Sequence, residues 1–286
     1  MSRLKISAIS YLNTAPLMWG FEHAETGVGA NFDISYTIPS ACAEDLRAGA
    51  ADIGIIPAAA YATVPDLVII PDVAIAARRA VRSILLVSKS VSKAPGVSTS
   101  QDKDRWSTQV RTIALDTSSM TSVALAKIVF AKWLGGARDY VPMAPDLDAM
   151  LGACDAALLI GDPALQVDRT RYFTLDLAEE WVARTGKSFV FAFWAIRKHA
   201  LAGRDGAAIA EAFRKSRDQG LSPRNLETIA QAWAPRLGLT VEAIRVYLTQ
   251  NIHYYLDPPC LEGLELYYRL GAEVGALPPA PELCFV

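Results

Sequence analysis

The chain has few of the residues that hold metals or covalent crosslinks. Its 286 residues include four cysteines, none of them in C-x-x-C spacing, and three histidines. This scarcity predicts neither a zinc site nor a disulfide framework, so we expect no metal and no cofactor. With 28 basic and 30 acidic residues, the net charge of −2 gives no overall attraction to nucleic acid or to an acidic membrane surface.

Long apolar runs and export features are also lacking. No stretch approaches eighteen uninterrupted apolar residues, so no membrane span is expected. Residues 1–6 run directly into a strand-like segment, without the apolar run and cleavage site of a signal peptide, which favours a cytoplasmic protein. Hydrophobic residues make up 52% of the chain and charged residues 20%, enough for a packed core in one large domain or two lobes.

The order of strand and helix patterns predicts an α/β fold. Strands are expected at 5–10, 32–38 and 51–57, and the helix that connects the last two makes a βαβ unit with parallel pairing. Further strands are predicted at 68–70, 83–88, 112–115, 156–160 and 189–196, and further helices at 206–219, 223–237, 241–255 and 258–271. The last of these strands is a continuous apolar run, which is typical of a strand buried on both faces.

This order also suggests two lobes joined by a hinge. The chain leaves the first lobe near 83–88 and returns through 189–196, so lobe I comprises residues 1–85 and 195–286 and lobe II residues 86–194. The polar segment 89–109 is expected to be a surface excursion. Ligands of such folds bind in the cleft between the lobes.

The most informative segment follows the predicted strand at 112–115. It places Thr117, Ser118, Ser119, Thr121 and Ser122 immediately before a helical pattern. Because the first N–H groups of a helix lack partners and the helix dipole adds positive potential, this junction can bind an anion. Helix capping alone would need one Ser or Thr, and both interpretations stay open at this point.

Five ordered segments resemble one family. They are ISYLNTAPL (9–17), VRSILLVSK (81–89), DTSSMTS (116–122), LLIGDPAL (158–165), and DLAEEW (176–181) followed by TGKSFVFA (185–192). Together they resemble the chorismate dehydratases (MqnA) of the futalosine route to menaquinone, from about residue 5 to residue 197. The chain departs from the family pattern at Arg79-Ala80, where a Gly-Pro pair is usual, and at Lys187-Ser188, where Leu-Pro is usual.

The resemblance implies a two-lobed, periplasmic-binding-protein-like fold of type II. It also implies a carbon–oxygen lyase of menaquinone biosynthesis that dehydrates chorismate to 3-[(1-carboxyvinyl)oxy]benzoate. Chorismate carries two carboxylates, so its site needs anion-binding donors more than a metal. The turn at Gly161 and Asp162 is a further candidate for such donors, although the Asp162 carboxylate is better explained as a helix cap than as a contact of a dianion.

The motifs contain no obvious catalytic base, since no histidine and no convincing pair of carboxylates lies in them. We therefore hypothesise a substrate-assisted elimination in which the enolpyruvyl carboxylate takes the proton. Asn13 and Ser83 are the predicted catalytic residues, and one of them would hydrogen-bond the leaving hydroxyl. The alternatives are a turn-forming asparagine and a strand-end serine.

Further substrate contacts are expected around these two residues. Arg82 could counter a carboxylate, but on a strand its side chain would point away from that of Ser83, and a structural ion pair is the alternative. The rings of Tyr11 and Phe191 either wall the pocket or pack in the core. The predicted substrate-binding residues are Tyr11, Thr14, Arg82, Thr117, Ser118, Ser119, Thr121, Ser122, Ile160, Gly161, Asp162 and Phe191.

Three other functions fit part of the pattern. A non-catalytic small-anion binding protein would share the fold, but no signal peptide supports export. The effector domain of a transcription regulator would need a helix-turn-helix or basic segment, and none precedes residue 5. A 1,4-dihydroxy-6-naphthoate synthase would need a histidine base in a motif. The expected partner is therefore a small-molecule substrate, with no nucleic acid and no membrane, and the expected assembly is a monomer or weak homodimer.

Overall fold

The computed structural model describes residues 3–23, 27–89 and 100–286 of the chain. Within these ranges the strands are β1 (Leu4–Ile9), β2 (Phe32–Thr37), β3 (Ile53–Pro57), β4 (Leu67–Ala77), β5 (Ile84–Lys89), β6 (Thr112–Asp116), β7 (Asp139–Met143), β8 (Ala156–Ile160), β9 (Tyr172–Asp176) and β10 (Phe189–Arg197). The helices are α1 (Ala15–Glu22), α2 (Pro39–Ala48), α3 (Ala58–Tyr61), α4 (Ser100–Gln109), α5 (Thr121–Trp133), α6 (Leu147–Ala153), α7 (Gly161–Leu165), α8 (Leu177–Thr185), α9 (Gly206–Gly220), α10 (Pro223–Leu237), α11 (Val241–Val246) and α12 (Pro258–Glu273). None of the helices in the described ranges is both long enough and apolar enough to cross a membrane.

The strands form two five-stranded sheets with the same internal pattern. The first sheet has the order β2-β1-β3-β10-β4 and the second the order β7-β6-β8-β5-β9. In the first, β1 lies between β2 and β3 and runs parallel to both, so the two strands of the predicted βαβ unit are parallel but not paired with each other. Strand β10 runs antiparallel to β3 and β4. In the second, β6 runs parallel to β7 and β8, and β5 runs antiparallel to β8 and β9.

Sheet membership shows where the chain passes from one sheet to the other. The first crossing is the segment 78–83, between β4 and β5, and the second is 186–188, between α8 and β10. The predicted lobe boundaries at 85/86 and 194/195 fall inside β5 and β10, each of which lies in one sheet over its whole length. The division into lobes stays a prediction, and we propose that its boundaries coincide with the two crossings.

The strand β10 lies between β3 and β4 and is buried along almost its whole length. Its residues 189–196 are all buried, which agrees with an apolar run enclosed on both faces. Trp194 packs against Phe213 of α9, with 4.8 Å between the ring centroids, and Phe189 packs against Trp181 of α8 at 5.2 Å. Large aromatic side chains from two helices therefore fix this strand in the first sheet.

Several elements differ from the predictions. The edge strand β7 has only half-buried and exposed residues and contains Pro142, so it lacks the apolar run that marks a buried strand. The expected surface excursion at 89–109 contains α4, whose Trp106 is fully buried, while 90–99 lie outside the described residues. The helix predicted at 241–255 ends as α-helix at Val246 and continues only as a π-helical turn, Tyr247–Asn251.

Candidate functional site

A cavity of about 60 Å³ lies where loops and strand ends of the two sheets meet. It is lined by Ile9, Tyr11, Asn13, Thr14, Pro39, Pro57, Ile75, Ser83, Ile84, Ser119, Met120, Thr121, Ser122, Ile160, Gly161, Phe191 and Ala192. Residues 9, 11, 13, 14, 39, 57, 75, 191 and 192 come from the first sheet and its connections, and residues 83 and 84 come from the crossing segment and the start of β5. The residues 119–122 and 160–161 come from the second, so the cavity has the interlobe position that two-lobed binding folds favour.

Ten of the fourteen predicted site residues line this cavity, namely Tyr11, Asn13, Thr14, Ser83, Ser119, Thr121, Ser122, Ile160, Gly161 and Phe191. The other four do not line it: Arg82, Thr117, Ser118 and Asp162. Sequence reasoning missed the apolar wall, which is formed by Ile9, Pro39, Pro57, Ile75, Ile84, Met120 and Ala192. These residue types carry no chemical signature, although Ile9, Ile84, Met120 and Ala192 lie within the family segments and Pro57 ends a predicted strand.

Asn13 and Ser83 are brought together by Tyr247, a residue that the sequence analysis did not select. The Tyr247 hydroxyl donates to Ser83 Oγ at 2.9 Å and also hydrogen-bonds the Asn13 side chain. Ser83 is fully buried, and Asn13 Oδ1 is buried without a hydrogen-bond partner among the described residues. Because Tyr247 lies 164 residues after Ser83, no local sequence pattern links the two.

The hydroxyl-rich segment before α5 mainly makes structural bonds. Thr121 Oγ1 accepts from the Ala59 N–H at 3.1 Å and donates to the Phe191 carbonyl at 3.0 Å, which ties α5 to the first sheet. Ser119 Oγ accepts from the Ser122 N–H at 3.2 Å and so satisfies one of the first N–H groups of the helix. Capping thus occurs, while Ser119, Thr121 and Ser122 still face the cavity.

Thr117 and Ser118 do not line the cavity, and their hydrogen bonds are made within the protein. The Thr117 side chain is exposed, and its N–H donates to the Met143 carbonyl at 3.1 Å. The Ser118 hydroxyl and N–H both donate to Asp116 Oδ1, at 2.6 and 2.9 Å, which closes a local turn. Ser118 also hydrogen-bonds the Tyr11 side chain and therefore acts behind the cavity wall.

Arg82 does not lie on a strand, so the strand geometry assumed for it does not apply. Its side chain is exposed, and its backbone adopts a left-handed conformation with φ +66°. The Arg82 N–H donates to Asp176 Oδ2 at 2.6 Å, and its carbonyl accepts from Arg169 at 2.8 Å. The buried Asp176 carboxylate also accepts from the Val81 N–H at 3.3 Å, so it fixes the crossing that presents Ser83.

Asp162 links the two sheets and does not cap its own helix. The N-cap of α7 is Ile160, whereas Asp162 Oδ1 accepts from the Leu12 N–H at 3.1 Å. Burial raises the pKa of the Asp162 carboxyl to about 6, against the opposing effect of the Leu12 hydrogen bond. The neighbouring Gly161 has φ +62°, and a Cβ there would lie 2.8 Å from the Tyr11 ring, so both backbone and space require glycine.

A group of three potential metal ligands lies outside the cavity lining. The ligand atoms of His253, Asp257 and Cys260 are within 4.8 Å of one another. His253 Nε2 is 2.8 Å from Asp257 Oδ2, and Arg78 forms an ion pair with the same carboxylate. Because a guanidinium already neutralises this carboxylate, the group is better described as a hydrogen-bonded ion-pair cluster.

Two mixed α/β sheets around an interlobe cavity define a periplasmic-binding-protein-like fold. A solved Archaeoglobus fulgidus protein shares it with a TM-score of 0.73 at 16% identity, over 96% of this chain and 98% of that chain. The alkanesulfonate-binding protein SsuA of Xanthomonas axonopodis pv. citri has a TM-score of 0.63 at 16% identity, over 97% and 95% of the two chains. At such identities these structures establish the fold alone, and they confirm the predicted fold class.

The chain belongs to a family described as menaquinone biosynthesis, which it matches over residues 4–273. A chorismate dehydratase of Thermus thermophilus is 34% identical over 186 residues, which are 59% of this chain and 64% of that protein. The chain therefore covers somewhat less than two thirds of this relative. The family predicted from the five motifs is confirmed.

Proposed function

We propose that the protein is a chorismate dehydratase, which eliminates water from chorismate to give 3-[(1-carboxyvinyl)oxy]benzoate. The observation that carries this proposal is the meeting of Asn13 and Ser83 in the cavity, each with hydrogen-bonding capacity left over for a ligand. Its support from the comparisons is the family match and the name of the 34% identical relative.

The two residues fit the group that must leave. In the reaction, the ring carbon that bears the ether loses a proton, the neighbouring carbon loses its hydroxyl, and the ring becomes aromatic. The proton is vinylogous to the ring carboxylate, so the electron pair left behind spreads into a dienolate. Asn13 Oδ1 can accept from the ring hydroxyl and the Ser83 hydroxyl can donate to its oxygen, which helps hydroxide to depart.

The origin of the base follows from what lines the cavity. Among the described lining residues, Tyr11 is the one titratable side chain, and burial raises its pKa. It therefore stays protonated near neutral pH and cannot accept the proton. This supports a substrate-assisted elimination in which the enolpyruvyl carboxylate takes the proton, while the protein orients the substrate and excludes water.

The two carboxylates of the substrate need donors on the opposite wall. The start of α5 offers the side chains of Ser119 and Ser122 together with the positive end of a helix of thirteen residues, whereas the Thr121 hydroxyl already donates to the Phe191 carbonyl. None of the described lining residues is Lys or Arg. The carboxylates are therefore bound through hydrogen bonds and the helix dipole, and Arg82 is not their counter-ion.

The nearest alternative, a 1,4-dihydroxy-6-naphthoate synthase, is disfavoured by the position of the histidines. His23, His199 and His253 are all described, and none of them lines the cavity. A histidine base is thus not available at the site. We further propose a cytoplasmic protein that acts on a small molecule as a monomer or weak homodimer.

The first experiment is incubation of the purified, EDTA-treated protein with chorismate, followed by ultraviolet absorbance and mass spectrometry. We expect the loss of one water and an enolpyruvyl benzoate product. Thermal stabilisation by chorismate without product would overturn the enzymatic proposal in favour of a binding protein. The absence of both turnover and binding would overturn it as well, and the naphthoate synthase substrate would then be tested.

A further inference from the structure

Asn13 and Ser83 are joined through a buried tyrosine that the sequence motifs do not include. We infer that Tyr247 is a positioning residue, whose hydroxyl fixes the hydrogen-bond directions of Asn13 and Ser83 so that the cavity selects a ligand hydroxyl. This inference deepens the proposed function, and it rests on that proposal for the identity of the ligand. The direction of the Tyr247–Ser83 bond rests on the geometry of the site.

The direction of each bond follows from the single proton of a phenol. Tyr247 is 3% exposed, and it donates this proton to Ser83 Oγ at 2.9 Å. The Tyr247 oxygen can therefore only accept in its hydrogen bond with Asn13, which requires the amide Nδ2 as donor. This orientation agrees with Asn13 Oδ1 being the atom that has no partner among the described residues.

The two bonds leave one acceptor and one donor for a ligand. Asn13 Oδ1 is free to accept, and Ser83, whose oxygen already accepts from Tyr247, retains its own proton to donate. No described group accepts that proton. A hydroxyl matches this pair because it donates and accepts through one atom, whereas an ether or ketone oxygen would leave Asn13 Oδ1 unsatisfied.

The surroundings of Tyr247 keep its phenol protonated, so that it can donate a hydrogen bond. Burial raises the pKa of its phenol well above the usual range, and the negative charges of Asp162 and Asp176 act in the same direction. The hydrogen bonds with Ser83 and Asn13 oppose this shift without cancelling it. Tyr247 therefore remains a neutral phenol near neutral pH, and the directions of the two bonds do not reverse.

A second hydrogen bond joins the segment that follows α11 to the crossing segment 78–83, which carries Ser83. Tyr247 opens the π-helical turn Tyr247–Asn251, and Asn251 Nδ2 donates to the Ala80 carbonyl at 2.9 Å. Side chains from both ends of the turn thus hold the segment 78–83. Single π-helical turns are rare and occur frequently at functional sites, because the register slip moves side chains into place.

The test is Tyr247→Phe, with Tyr254→Phe as the matched control. Both tyrosines are buried, but the Tyr254 hydroxyl has no partner among the described residues, so its loss breaks no bond seen there. We expect Tyr247→Phe to lower kcat for chorismate about 10- to 100-fold and to change KM less than about threefold. We expect Tyr254→Phe to stay within about twofold of the wild type in both constants.

A double variant tests whether Tyr247 acts through Ser83. In a Ser83→Ala background, Tyr247→Phe should lower kcat by a clearly smaller factor than in the wild type, since one of the two partners of its hydroxyl is already gone. A full additional loss in that background would show that Tyr247 acts by another route. Unchanged kcat in the single variant Tyr247→Phe would overturn the inference outright.

A ligand-free measurement separates this inference from the proposed function. The chain has four asparagines, so ¹⁵N-asparagine labelling gives four side-chain amide signals, and Asn13→Asp identifies the one from Asn13. Tyr247→Phe should shift this signal and speed its hydrogen exchange, and Tyr254→Phe should do neither. This result in a protein that does not turn over chorismate would overturn the proposed function and uphold the inference, whereas an unmoved signal would overturn the inference.

Discussion

The wall of the cavity at the start of α5 and the wall that carries Asn13 and Ser83 hold similar polar groups and use them differently. On the first wall, Thr121 bonds both Ala59 and Phe191 of the first sheet. On the second, Asn13 Oδ1 has no partner among the described residues and Ser83 retains its proton. The first wall mainly joins the two sheets, and the second is equipped to meet a ligand.

This difference shows which property of a polar residue points to a site. The segment 116–122 is the more conspicuous in sequence because five hydroxyl residues lie close together. Two of these, Ser118 and Thr121, have hydroxyls that donate inside the protein. Bonding capacity that remains after folding is what a ligand can use, and only the structure shows it.

The largest expected effect comes from removing the second wall. Ser83→Ala should lower kcat about 100- to 1000-fold, because the donor to the departing hydroxide is lost, and Asn13→Ala should act in the same direction. Steady-state assays with chorismate measure this. The control is Ser10→Ala, an exposed serine of the neighbouring loop, which should stay within about twofold. Near-normal turnover of both cavity variants would show that the second wall does not act on the ligand.

The next effect concerns stability and the first wall. Thr121→Val should lower the unfolding free energy by about 2–3 kcal/mol, because it leaves the buried Ala59 N–H without its acceptor. Thr121→Ser keeps the hydroxyl and is the matched control. Chemical denaturation measures both variants. A stable Thr121→Val protein with strongly reduced substrate affinity would mean that this wall, too, chiefly serves the ligand.

A pH-dependent effect is expected for the link between the walls. The pKa of Asp162 is about 6 in the folded protein against an ordinary 3.8, so its protonated form favours folding. Its contribution is full below about pH 4 and is lost as the pH rises through about 6. Relative to Asp162→Asn, the unfolding free energy of the wild type should therefore fall by about 1–3 kcal/mol from pH 4 to pH 7. A constant difference across this range would show that Asp162 titrates normally.

The smallest effect is expected where a predicted contact lies outside the cavity. Thr117→Ala should leave kcat and KM within about twofold, because the Thr117 side chain is exposed and its bond to Met143 uses the backbone. The comparison is Ser119→Ala, two residues later, which faces the cavity and should raise KM. Equal effects of the two variants would mean that the whole segment binds substrate.

The periodicity of apolar residues correctly predicted those strands and helices whose burial depends on residues close in sequence. The parallel direction of β2 and β3 followed from the helix that connects them, although β1 separates the two strands, and the burial of β10 followed from its apolar run. The strand β7 has an edge position and an exposed pattern, so its pairing with β6 left no apolar signal. Its existence depends on a neighbour that a local window does not contain.

The roles of the site residues depend even more on partners that are distant in sequence. Short motifs placed ten residues at the cavity, because the loops that follow β1, β6 and β8 and the segment before β5 meet there, while Phe191 reaches it from within β10. Asp162 looked like a helix cap because local spacing cannot show that Leu12, 150 residues earlier, supplies its donor. Tyr247 was not predicted for the same reason. Its partner Ser83 is distant in sequence and is brought close only when the end of α11 packs on the crossing segment.

The position of β10 has a consequence for the order in which the protein assembles on the ribosome. The second sheet is complete once residue 176 has been made, because β5 to β9 come from one stretch of chain. The first sheet begins earlier, but β4 joins β3 only through β10, which follows more than a hundred residues later. Such distant pairing is slow. Pulse-labelled hydrogen exchange during refolding should therefore protect β5 and β8 before β3 and β4, so that strands synthesised early in the chain become native last.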